Sequence, residues 1–183
     1  MLSTLLNPLP YHILAYGTFL GSQLYQSFIN TNICFRSLPP QNFNNLNKRL
    51  FPVYFRCQLG FAVLTFVTRP PGTWLQLSAV NDVGNLLLGL ATVMAGLNWY
   101  IFGPRTSDAM VEKARVLKEV QDEKDGDNVK AEGSHDSAET DAFVAKVKKT
   151  FSRNHAMSIH LNAIAMIATV GYGFVLGGRL QLK

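Results

Sequence analysis

The side chains best suited to chemistry sit in apolar surroundings. From Tyr11 to Phe35 the chain runs 25 residues without a charge, yet it carries Gln23, Gln26, Asn30 and Asn32, with Ser22 and Ser27. Gln23, Gln26 and Asn30 recur at i, i+3 and i+7, one stripe of a helix. A polar stripe on an apolar helix turns toward protein or water. It serves either as hydrogen-bonding contact between helices or as the wall of a hydrated cavity. Asn81, Asn85 and Asn98 of a later segment would complete that cavity. The first use leads; the second would suit passage of a small molecule or metal ion.

Asp82 is the single acid outside residues 103–155, and Arg56 lies one turn inside an apolar stretch. Counted along two antiparallel helices, their depths differ by about 7 Å, within reach of an extended arginine. An ion pair between them is one reading. In the stronger one, Arg56 snorkels to headgroups and Asp82 caps a helix that begins near Val83. His155 and His160 are five residues apart, off a common face, whereas a two-histidine helical metal site wants four. Cys34, Cys57, Met94 and Met157 are soft donors without a joining spacing, so buried reduced thiols are the default. No cofactor or metal is expected from this inventory. No nucleophile–base arrangement, phosphate-cradling glycine loop or dinucleotide fingerprint is present, so the expectation is a protein that is not an enzyme. Arg105-Thr106, after Gly103-Pro104, could hold a lipid phosphate where a helix opens, or Thr106 or Ser107 could simply cap that helix.

The elements that must position these groups follow from composition. Of 183 residues only 16% are charged, against a usual value of roughly 25%, and 48% are hydrophobic. Residues 103–155 hold 11 of the 12 acids and 10 of the 17 bases. The rest is too poor in charge for a soluble enzyme or a disordered chain, which makes this a membrane protein. The net charge of +5 comes from sparse bases flanking apolar segments, which topology explains without nucleic acid. Residues 1–10 lack a basic n-region and a cleavage site, so no cleavable signal is expected.

Four apolar stretches reach or approach the roughly 20 residues that a spanning helix needs, at 11–35, 52–68, 74–102 and 156–178. Pro52 would open the second, a turn at Arg69-Pro70-Pro71-Gly72 would join it to the third, and Gly103-Pro104 would close the third. Trp74 and Trp99-Tyr100 would mark its two interfaces. The fold class expected is therefore an all-α, antiparallel four-transmembrane-helix bundle. Loops 36–51 and 103–155 collect Arg36, Lys48, Arg49, Arg105, Lys146, Lys148, Lys149 and Arg153, which makes them cytosolic and both termini non-cytosolic. Within the long loop, 107–121 carries a helical apolar stripe, 122–141 reads as acidic disorder, and 142–153 as a basic amphipathic lead-in. Gly17-x-x-x-Gly21 and Gly173-x-x-x-Gly177 suggest close packing, within the chain more than between copies.

Cys34-Phe35-Arg36-Ser37-Leu38-Pro39-Pro40, then Leu50-Phe51-Pro52-Val53-Tyr54-Phe55, resembles the transmembrane-protein-205-like family. Gly103-Pro104-Arg105-Thr106 with Ala109-Met110, and Phe151-Ser152-Arg153-Asn154-His155 with Asn162, follow in the same order. His12 sits where such proteins carry a histidine at the start of the first helix. The resemblance spans nearly the whole chain apart from 122–141, and implies a small multi-spanning endomembrane protein without assigning an activity. The leading functional class is a structural or interaction protein of an internal membrane, with the bilayer, a second copy or other membrane proteins as partners. A small-molecule or metal-ion transporter using the first helix is second, and a haem- or metal-binding redox protein third. The endoplasmic reticulum or another endomembrane is the expected location, with the mitochondrial outer membrane open.

Overall fold

The computed structural model describes residues 7–69, 82–127 and 137–181, and among them every regular element is helical. Helix α1 (Pro8–Leu24) passes through a π-helical turn, Tyr25–Asn30, into α2 (Thr31–Ser37). Helix α3 spans Pro40–Val67 and α4 spans Val83–Leu97; a second π-helical turn, Asn98–Phe102, leads from α4 into α5 (Gly103–Asp127). Helix α6 covers Ser137–Gln181. Three stretches, Pro40–Val67, Val83–Asp122 and Glu139–Leu180, are long and apolar enough to cross a membrane by length and composition.

Local chemistry sets these boundaries. Asn7 accepts from Leu9 N at 3.0 Å and Pro8 takes the first helical position, where its missing N–H costs nothing. The α2 helix stops at Leu38, held extended ahead of Pro39, and α3 restarts at Pro40. The loop expected over 36–51 is thus helical from residue 40, and Pro52 lies inside α3 instead of opening it. A proline inside a helix removes the bond to the carbonyl four residues back. Pro52 and Lys48, whose carbonyl loses that partner, both lie on the exposed face of α3.

Gly103-Pro104 does not end the third apolar helix as expected. The π-helical turn ahead of it lets Gly103 N–H reach back five residues to Asn98 O, so the chain absorbs Pro104 without breaking. Gly103 also has to lack a Cβ, which would lie 2.5 Å from Asn98 O and 2.9 Å from Phe55 Cδ2. The stripe expected over 107–121 lies within α5, and the lead-in at 142–153 lies within α6. Of the acidic segment 122–141, helix reaches Asp127 and resumes at Ser137, and 128–136 lies outside the described residues. Trp74, Asn81 and the turn at 70–72 lie outside them too.

The third helix is described from Val83. Asp82 caps it, accepting from Gly84 N at 2.8 Å, and the same oxygen accepts from Arg179 Nη2 at 2.5 Å. The Asp82–Arg56 pair is therefore not formed. Asp82 stands at the start of α4, level with the end of α6, while Arg56 is exposed on α3. Ahead of the apolar helix, the Asp82 carboxyl is held below its usual range, chiefly by the Arg179 hydrogen bond, with burial opposing.

Packing is small inside and apolar outside. Phe19 of α1 is fully buried among Ala62 of α3, Ala91 of α4 and Ala168 of α6. Leu88, Tyr172 and Leu176 form a second cluster. Gly173 of α6 lies against the Tyr16 hydroxyl of α1, and Gly84 admits Val175 and Tyr172. Among the described residues nothing meets Gly17, Gly21 or Gly177, so there Gly17-x-x-x-Gly21 makes no contact and only the first glycine of Gly173-x-x-x-Gly177 does. Phe174 is 80% exposed and Leu14, Phe35 and Ile167 are each 69% exposed, whereas His12, Gln23, Gln58, Asn98 and Thr169 are 0% exposed. Apolar side chains outside and polar ones gathered within are the arrangement that suits solvation by lipid.

Two outcomes follow for unfolding of the detergent-purified protein. Gly103→Ala gains up to about 1 kcal/mol of helix propensity but forces a Cβ onto backbone; overpacking of about 1–3 kcal/mol wins, and the variant is less stable. At Asp82 the cap is worth about 1 kcal/mol and a half-exposed ion pair less, so Asp82→Ala costs more than Asp82→Asn, which keeps a capping oxygen. Since the folded carboxyl is depressed, the wild-type contribution is present above about pH 4, the unfolded range, and is lost as pH falls through the lowered value. Equal stability of Asp82→Ala and wild type at neutral pH would disprove the cap.

Candidate functional site

The polar residues of the interior gather around Asn162 of α6. Its Oδ1 accepts from Tyr54 Oη and from Gln58 Nε2 of α3, each at 2.9 Å, and its Nδ2 donates to Ser27 Oγ at 3.0 Å. One amide therefore ties three helical runs. Ser27 lies in the first π-helical turn, where Thr31 Oγ1 also donates to Gln26 O at 2.7 Å and Asn30 Nδ2 to Gln26 Oε1 at 2.9 Å. On the opposite wall Asn98, at the start of the second π-helical turn, donates to Ser158 O at 3.1 Å.

Between these walls is a cavity of about 420 Å³. The first π-helical turn contributes Gln26, Ser27 and Phe28; α3 contributes Phe51, Tyr54 and Phe55; α5 contributes Gly103 and Thr106; and α6 contributes His155, Ser158 and Asn162. Its size falls within the roughly 300–1,000 Å³ typical of small-molecule sites. Among the described residues no carboxylate, lysine or arginine lines it. Thr106 is 5% exposed with an unpartnered hydroxyl, and Gln58 Oε1 and Asn98 Oδ1 nearby are also unpartnered. A buried ion would meet no counter-charge here, so the lining suits a neutral, mostly apolar guest with one or two hydrogen-bonding groups.

A second polar centre lies toward the other end of the helices. His12 Nδ1 is 3.0 Å from Thr65 O, so that nitrogen carries the proton and donates, and Nε2 accepts from Tyr172 Oη at 2.7 Å. The Tyr172 ring meets both His12 and Tyr16 edge-on. With both ring nitrogens engaged and the side chain fully buried, His12 joins the first, second and last apolar helices.

The residues singled out from sequence separate into distinct places. Gln26, His155 and Asn162 line the cavity, with Asn30 bonded to Gln26. Gln23 is buried, and neither end of its amide has a partner among the described residues. Arg36 and Arg56 are exposed, and Arg105 belongs to a different cleft. His155 stacks on Phe151 while His160 bonds Ala156 O on its own helix, so the two diverge. Among the described residues no three His, Cys, Asp or Glu side chains converge. The polar stripe of the first helical run was legible, but Tyr54 and Gln58, which bond Asn162, were not singled out. Their signal is the spacing of Tyr54, Gln58 and Thr65, which places three polar groups on one face of an otherwise apolar helix.

Comparison with known proteins places these features in a family. The chain is 45% identical over 183 residues to Xanthocillin biosynthesis cluster protein D of Aspergillus fumigatus, covering 98% of this chain and 96% of that one. It is 28% identical over 161 residues to Transmembrane protein 205 of Danio rerio, covering 84% of this chain and 82% of that protein, which bears out the resemblance drawn from its motifs. No solved structure matches. Residues 14–115 match the model described as a domain of unknown function (DUF4149). With a polar interior, an apolar exterior and a family match over more than half its length, this chain is a membrane protein and belongs to the DUF4149 family.

Proposed function

We propose that this protein is a four-span protein of an internal membrane that holds a small, neutral, largely apolar molecule in the cavity beside Asn162, without a catalytic step. The carrying observation is a cavity of small-molecule size, lined by no charged side chain among the described residues, with the orphaned Thr106 hydroxyl in its wall. The Aspergillus relative's name associates that protein with a biosynthesis cluster, a setting where a membrane holder of a small product would serve. A neutral set of amides and hydroxyls with one imidazole favours such a molecule over a metal ion.

The four-span reading counts the run from Pro8 to Ser37 as the first span. It is helical throughout, about 45 Å at 1.5 Å per residue, against a bilayer core of about 30 Å. His12 meets Thr65 and Tyr172, and Ser27 meets Asn162, so the first run is antiparallel to both α3 and α6. Asp82 meets Arg179, and Asn98 meets Ser158, so α4 also opposes α6. The excess of bases at 36–51 and 103–155 supports a cytosolic position for those segments, with both termini across the membrane. The short apolar part of α3 beyond Pro52 suits the thinner bilayer of the endoplasmic reticulum.

A structural or interaction role is the second reading, favoured by the packing of α5 on α6 beyond the apolar runs. Met110 and Val116 are buried there, and Lys113 sits over the Phe151 ring at 4.6 Å, so this part of the cytosolic segment forms a folded helical arm.

Two measurements test the first reading. A neutral apolar fluorophore such as N-phenyl-1-naphthylamine should bind the purified protein saturably and near 1:1. Ala163→Phe, which fills the cavity from α6, should remove that binding while circular dichroism stays helical. Binding equal to that of wild type would sink the reading. Asn162→Leu leaves the Tyr54 hydroxyl and the Gln58 amide without an acceptor and should lower unfolding stability by about 1–3 kcal/mol. Ser27→Ala removes one membrane hydrogen bond and should cost only about 0.6 kcal/mol.

A further inference from the structure

Outside the cavity, two arginines from different helices converge without a carboxylate. Arg105 of α5 and Arg153 of α6 line one cleft of about 500 Å³, with Thr150 and Asn154 beside them and Phe102 and Met157 as its apolar part. Neither arginine makes an ion pair with a described residue, and both are exposed. The cleft lies where two apolar runs end, at Phe102 and from Ala156 onward, one turn from Trp99 and Tyr100. This is the depth at which headgroup phosphates stand and aromatic side chains collect.

We propose that Arg105 and Arg153 bind the phosphate of an anionic phospholipid whose glycerol and first acyl carbons lie on Phe102 and Met157. Guanidinium forks match phosphate oxygens two at a time, and two forks from adjacent helices hold a monoester more firmly than a zwitterionic diester. The Asn154 amide supplies a neutral donor at the rim. Lys149, one turn before Arg153, adds positive field without lining the cleft. The site shares no lining residue with the cavity beside Asn162, so it stands whether or not that cavity holds a guest.

The test uses the full chain in neutral detergent, with unfolding temperature followed at rising ligand concentration. The ligands are dioctanoyl phosphatidic acid, dioctanoyl phosphatidylcholine and inorganic phosphate, at matched ionic strength. Phosphatidic acid should raise the unfolding temperature saturably, and the other two should not. The Arg105→Gln/Arg153→Gln variant should bind it at least about tenfold more weakly, and Arg105→Lys/Arg153→Lys should fall between, since lysine keeps charge but loses the fork. Lys118→Gln, which removes a charge elsewhere on α5, and Ala163→Phe should leave the shift intact. Inorganic phosphate as effective as the lipid would make this a free-phosphate site and overturn the lipid assignment. An equal response to phosphatidylcholine, or an undiminished response in the glutamine variant, would overturn the arginine site itself.

Discussion

In lipid, a polar side chain inside a helical protein has only other side chains and spare carbonyls to bond with, and Asn162 is where this fold meets that constraint. Its carboxamide oxygen takes two donors from α3 and its nitrogen serves Ser27 of the first run. A single hydrogen bond within a membrane is worth little, about 0.6 kcal/mol on average, so the significance of the cluster is positional. It fixes the rotation of three helices at once. Once they are so rotated, Ala62, Ala91 and Ala168 face inward around Phe19, and the larger aliphatic residues are left facing lipid. At the other end His12 does the same for Thr65 and Tyr172, so the interior is pinned at two levels.

Between those levels the helices are not regular. Each of two runs contains one π-helical turn, Tyr25–Asn30 in the first and Asn98–Phe102 after α4, and two walls of the cavity, Gln26, Ser27 and Phe28 on one and Gly103 and Thr106 on the other, come from within or just after them. A π-helical turn rotates everything beyond it relative to an ideal helix and lets neighbouring walls part. Gly103 completes the effect by leaving room for Phe55, so the cavity is a product of backbone geometry as much as of side-chain size.

Much of this was legible in the sequence because apolar length and charge placement are read directly. Three of the four expected apolar helices, the inward Gln23 and Gln26, and Asp82 as a cap all follow from composition and spacing. Pro52 and Gly103-Pro104 misled because a proline is a local signal, whereas its cost can be absorbed by an exposed carbonyl or a widened turn that the signal does not contain. The Arg56 pairing failed because depth along a helix says nothing of which way the side chain faces. Tyr54 and Gln58 were overlooked because one polar residue per turn on a mostly apolar helix is weak evidence until the facing helix is known. A cavity is likewise a property of packed helices, and no single segment displays it.

The α6 helix runs from Ser137 to Gln181 without an interruption, about 68 Å at 1.5 Å per residue. It carries the phenylalanine that meets Lys113 in the arm, then His155, Ser158 and Asn162 at the cavity, then Tyr172, and finally Arg179 against Asp82. A continuous helix behaves as a lever rather than a string of joints. A force that tilts or turns its N-terminal third is therefore felt at Asn162 and at Arg179 together, and a load on the arm acts mechanically on the cavity wall without needing a hinge in between.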